Sequence, residues 1–171
     1  QIGVDGALYQ ALEFTGSTID SLDMDSRFSL CNMAIEAGAK SGIIAVDDIT
    51  RQFLSTKNLA RPAKEFYSDE DAKYVKIIEI DVSTLEPVIA YPSLPSNGKP
   101  LSTAVNDKIA VDQVFIGSCT NGRLSDLKIA AEIMKGKRVA RRTRMIITPA
   151  TQQILKDAEK LGYIEILIDA G

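Results

Sequence analysis

Histidine is missing from this sequence altogether, and so is tryptophan. Any proton transfer must therefore fall to carboxylates, Lys, Tyr or Cys, or to another chain. Cysteine is nearly absent too: Cys31 and Cys119 are the only two and lie far apart, which excludes a secreted disulfide framework and leaves each as a buried thiol or a metal ligand. No apolar run approaches the roughly 18 residues of a membrane helix, and the opening residues Gln1 to Asp5 have neither the charge nor the apolar stretch of a signal peptide. A cytoplasmic protein without a membrane partner is expected. Charge of one sign is also lacking, since 20 basic and 23 acidic side chains leave a net −3. The one dense basic cluster, Lys135, Lys137, Arg138, Arg141, Arg142 and Arg144, is too short to imply nucleic acid by itself and reads as solvated surface. There is no initial methionine, and the sequence reads as an internal piece of a longer polypeptide.

What is present is the composition of an ordinary globular protein, 45% hydrophobic and 25% charged over 171 residues, enough to bury a core in one domain or two small ones. Apolar spacing over 6–15 suits a short amphipathic helix, and 25–37, with Phe28, Leu30, Cys31, Met33, Ala34, Ile35 and Ala37 closed by Gly38, suits a helix buried on most sides. Residues 42–46 read as a core strand, and Asp47-Asp48 as the cap of a helix over 49–54. A polar loop over 55–73 precedes two extended pieces, 75–82 and 87–91, expected to pair with each other. Residues 91–100 hold three prolines and a glycine, and the domain boundary is placed there, giving lobes of 1–92 and 93–171.

Beyond it the pattern becomes strand 113–116, turn 117–122, helix 124–134, strand 145–148 and helix 150–161, with Thr148-Pro149 as the last helix start. Strands alternating with helices of this length predict an α/β lobe with a parallel sheet and crossover helices.

The turn Gly-Ser-Cys-Thr-Asn-Gly-Arg at 117–123 follows a strand and precedes a helix, where ligands of open α/β sheets collect and helix N-termini favour anions. A cysteine there would have a lowered pKa and could act as a thiolate, although on this residue alone a small buried side chain is the commoner role. Gly117 and Gly122 have P-loop spacing, but Arg123 and Leu124 stand where Lys and Ser or Thr belong, so nucleotide binding is the weaker alternative. Asn32 and Glu36, four apart, would share a face of the apolar helix; that face either contributes to a site or simply reaches solvent.

The stretches Gly-Val-Asp-Gly at 3–6, residues 31–43, residues 114–123 and Ile-Thr-Pro-Ala at 147–150 closely resemble the large, catalytic subunits of isopropylmalate isomerases and homoaconitases, hydro-lyases of the aconitase superfamily. The resemblance spans nearly the whole chain and implies an aconitase-like fold. It also implies a 4Fe-4S cluster held by three cysteines, one of them Cys119, the other two in a Cys-x-x-Cys pair that follows a segment like 162–171. Glu36 would contact the hydroxyl or water on the open iron, Asn32 would lie beside the cluster, and Ser118, Thr120, Asn121 and Arg123 would form its or the substrate's surroundings. The family's histidines would lie upstream and further arginines downstream. The implied reaction is interconversion of 2- and 3-isopropylmalate by dehydration and rehydration, in leucine biosynthesis, with a separate small subunit supplying a serine base in a heterodimer. Homoaconitase and methylmalate isomerase are the enzymatic alternatives, and an inert folded piece the non-enzymatic one. This chain alone is expected to be inactive and to hold no complete cluster.

Overall fold

A computed structural model describes residues 2–171, which divide into a first unit running to Asp107 and a second of Lys108–Gly171.

The first unit opens with turns in place of the helix expected over 6–15. Its backbone is claimed from elsewhere: Ala7 N donates to Ala37 O (2.9 Å) and Lys40 N to Gln10 O (2.7 Å), and strand β1 (Ala11–Glu13) pairs in parallel with β2 (Ser41–Ile43). A ten-residue helix is too short to compete with such partners. Helix α1 (Ser17–Ser21), which the apolar pattern does not suggest, follows. Helix α2 (Met24–Asn32), capped by Asp23, then tightens into a 3-10 turn over Met33–Ala37 and stops at Gly38, whose φ of 77° gives the left-handed cap. Burial of this segment is only partial. Met33 and Ile35 are exposed, whereas Arg27 is buried at 2% exposure.

Arg27 can be buried because its guanidinium is fully occupied. It grips Asp47 with two bonds of 2.7 and 2.6 Å and donates to the carbonyls of Leu22, Ile19 and Asp20. Asp47 also caps α3 (Asp48–Ser55) by accepting from Thr50 N (3.0 Å), as its sequence position predicts. Phe28 meets Phe53 edge-on at 5.5 Å, joining α2 to α3.

Residues 56–87 carry no helix or strand. The pairing expected of 75–82 with 87–91 is replaced by a hairpin, β3 (Val88–Ala90) running antiparallel to β4 (Gly98–Pro100). The proline-rich stretch is thus the hairpin's loop, which is why the first unit continues through α4 (Leu101–Ala104) to Asp107 rather than ending at residue 92.

In the second unit, β5 (Gln113–Ile116) lies parallel to β6 (Arg144–Ile147), in register from Gln113 against Arg144 to Ile116 against Ile147. Helix α5 (Leu124–Met134) forms the crossover, followed by α6 (Gln152–Lys160) and α7 (Tyr163–Ala170). Leu127, at 0% exposure, and Ala130, Ala131 and Leu167 form the core, with Ile116 and Ile147 packed against it. Burying Leu127 contributes roughly 1.5–3 kcal/mol. Helix α6 starts from Thr151, whose hydroxyl accepts from Ile154 N (3.1 Å), and not from Thr148, whose backbone serves the strand ends. Helix α7 begins straight after Gly162 (φ 76°), which turns the chain too sharply for a loop to be needed. Among the described residues, no helix is long and apolar enough to cross a membrane.

Candidate functional site

The loop after β5 is held at both feet by the loop after β6. Thr148 N donates to Ile116 O (2.8 Å) and Ala150 N to Gly122 O (2.9 Å), continuing the link between the strands past their carboxyl ends. A Cβ on Gly117 would lie 2.4 Å from the Thr148 carbonyl oxygen, and one on Gly122 would lie 2.5 Å from the same atom. Both glycines have positive φ, 127° and 87°. Only glycine satisfies the space and the dihedral together at these positions.

Between those feet the chain turns outward. Ser118 takes a φ of 124°, a strained value for a residue with a side chain, and its hydroxyl lies 2.8 Å from that of Thr120. Cys119 is exposed at the tip, and Thr120, Asn121 and Arg123 are half-buried. The far end of the loop is fixed by a residue outside the motif. Asp126, in the first turn of α5, accepts from Gly122 N and Arg123 N, both at 2.9 Å, and faces the Asn121 amide nitrogen at 3.4 Å. A carboxylate in this position also suits the positive end of the helix. Its signal in the sequence is an acidic residue three after Arg123, the spacing of a capping box with an unusual cap residue.

The structure therefore brings Ser118, Cys119, Thr120, Asn121 and Arg123 onto one loop at the carboxyl end of a parallel strand. Asn32 and Glu36 belong to the first unit, and both are exposed. They do not share an ideal α-helical face: α2 ends at Asn32, and the 3-10 turn that carries Glu36 advances about 120° per residue. Met33 and Ile35, exposed beside them, give this corner an apolar surround.

Cys31 differs from Cys119 in every respect that matters to a metal. It is half-buried in α2, Gly42 presses against it so closely that a Cβ there would sit 2.7 Å from the Cys31 Cα, and burial pushes its thiol pKa up. Among the described residues no group of three or more His, Cys, Asp or Glu side chains could hold a metal ion. The six basic side chains clustered between 135 and 144 are all exposed.

A family model for the aconitase family (aconitate hydratase) matches residues 1–171. A "3-isopropylmalate dehydratase large subunit" from a Nitratiruptor species is 73% identical over 171 residues, covering all of this chain and 41% of the relative. Proteins of the same name from Campylobacter concisus and Sulfurimonas denitrificans are 71% and 66% identical over 100% and 99% of the chain, again 41% of each relative. The chain thus spans 41% of the length of these curated relatives.

Proposed function

Because this chain belongs to the aconitase family, we propose that it is part of the large subunit of a 3-isopropylmalate dehydratase. The observation that carries this reading is the loop over 117–123, which presents an exposed thiol, Cys119, from a doubly anchored turn at the carboxyl end of a parallel strand. The reaction removes water from 2-isopropylmalate and returns it in the opposite sense to give 3-isopropylmalate, with no net redox change.

The family implies an iron-sulfur cluster, and the residues present fit one corner of it. A soft, exposed sulfur on a doubly anchored loop suits iron-sulfur ligation, whereas Cys31 is held in packing with its thiolate disfavoured. Cys119 supplies one ligand of three, and the others come from outside this chain. When bound, the cluster supplies a Lewis-acidic iron that eases departure of hydroxide, a poor leaving group.

The remaining chemistry falls to side chains of this chain and of a small-subunit partner. Glu36 would orient the departing oxygen and give it a proton, with Asn32 as an amide beside the cluster. Their shared exposure at the end of α2 leaves both reachable by a substrate. Ser118 and Thr120 hold the turn that carries Cys119 through their paired hydroxyls, and Asn121 and Arg123 complete the loop's polar rim. The base that takes the carbon-bound proton comes from the small subunit.

The test is turnover of a family-length subunit containing this chain, paired with its small subunit, on isopropylmalate, homocitrate and methylmalate in parallel. Preference for isopropylmalate is expected, together with a large loss of kcat in Glu36→Gln at unchanged cluster absorption. Preference for another acid, or full turnover in Glu36→Gln, contradicts the substrate or the acid assignment respectively.

A further inference from the structure

Asp126 stands outside the motif that carries Cys119, yet the path of the loop depends on its carboxylate. We infer that Asp126 is a positioning residue for the metal-binding loop, holding Cys119 in the one geometry that keeps a cluster bound; the inference rests on the reading of Cys119 as a cluster ligand.

The loop is fixed at two feet. The first, Gly117, is determined by sterics, because its backbone lies against the Thr148 carbonyl and admits no side chain. The second, Gly122, meets the same carbonyl and receives one further bond from Ala150 N. That contact fixes where Gly122 sits but leaves its own N–H, and that of Arg123, to be satisfied elsewhere. Both N–H groups are found on a single oxygen of Asp126, Oδ2, at 2.9 Å. With the Asn121 amide nitrogen 3.4 Å from each carboxylate oxygen, three successive residues are drawn to one side chain.

Cys119 lies three residues before Gly122, so any rotation of the 121–123 peptides swings the thiol. Metal sites tolerate little of this. Partners that orient a ligand without touching the metal typically carry about 10–100-fold in metal affinity when removed.

Asp126 could instead be no more than the cap of α5, and the experiment separates the two roles. In the anaerobically reconstituted family-length subunit, cluster iron release to a chelator is followed for Asp126→Ala, Asp126→Asn and Thr151→Ala. The last removes a helix cap of the same second unit, at α6. Cys119→Ala is carried through the same protocol. Amide exchange at Gly122 and Arg123 and the electron paramagnetic resonance spectrum of the one-electron-reduced cluster are recorded for each protein.

Asp126→Ala is expected to release iron about tenfold faster or more, with faster exchange at both amides and a shifted spectrum. Asp126→Asn retains an oxygen of the right shape but no charge, and falls between it and the parent. Thr151→Ala stays at the parent rate. Iron release at the parent rate in both Asp126 variants overturns the inference, as does equal acceleration by Thr151→Ala, which would reduce the effect to general loosening. If Cys119→Ala keeps its cluster, the underlying ligand assignment has failed, and the inference with it. Loss of iron in Cys119→Ala with no change in the Asp126 variants sinks the positioning role alone.

Discussion

The two units solve the same problem, covering apolar side chains, by different routes. In the second, strand, crossover helix and strand follow each other closely, and Leu127, Ala130, Ala131 and Leu167 lie at the core. In the first, the buried cluster is three alanines, Ala7, Ala34 and Ala39, while Val75 and Ile77 stand 90% and 76% exposed on a segment that joins no sheet. Where the first unit is firm, it is held by polar bonds around Arg27 and Asp47 rather than by apolar volume.

Emptying the core of the second unit should have the largest effect. Leu127→Ala should cost about 3–5 kcal/mol, since the side chain is fully buried. Urea unfolding checks it, and a loss below about 1 kcal/mol would show that the core is not where the second unit's stability lies.

Arg27→Met applies the corresponding cut to the first unit. It removes both bonds to Asp47 and the guanidinium's bonds to the carbonyls of Leu22, Ile19 and Asp20, with an expected cost of about 2–3 kcal/mol. A pH signature accompanies it. The bidentate Arg27 contact holds the folded Asp47 carboxyl far below its usual 3.8. A depressed folded pKa gives stability that is complete above the unfolded value and is lost as pH falls toward the folded one. Acid titration of the parent chain should therefore show a loss of stability below about pH 4, and the slope should flatten in Arg27→Met. An unchanged slope would mean that the ion pair does not hold the first unit together.

A smaller effect separates the loop from the core beneath it. Gly122→Ala places a methyl 2.5 Å from the Thr148 carbonyl at a φ of 87° and should cost about 1–3 kcal/mol. Gly136→Ala, also at positive φ but in open space, should cost less, since only the dihedral opposes it. Equal losses, measured by thermal unfolding, would mean that the close approach to Thr148 carries no weight.

The same contrast explains what can be read in advance. Helix Leu124–Met134 and strand Gln113–Ile116 are legible to the residue, because Leu127, Ala130, Ala131 and Met134 recur at helical spacing and the two loop glycines mark the turn between strand and helix. The segment 6–15 has similar spacing and forms no helix, because its backbone partners are Ala37 and residues 40–43, invisible to a local pattern. Arg27 gives no local sign either, since its burial depends on a carboxylate twenty residues away, Asp47. Cys119 stands out through its motif, whereas Asp126 shows only the spacing of a capping box behind an unusual cap residue, and its hold on the backbone amides of Gly122 and Arg123 is visible only in three dimensions.

The two cysteines, one in each unit, test most directly whether the loop over 117–123 is the metal-binding element of this chain. Iron and sulfide are measured in anaerobically reconstituted family-length subunits bearing Cys119→Ala or Cys31→Ala. About four irons and four sulfides per chain are expected in Cys31→Ala, with loss of the complete cluster in Cys119→Ala. A full complement retained in Cys119→Ala, or lost only in Cys31→Ala, would contradict the assignment of the loop.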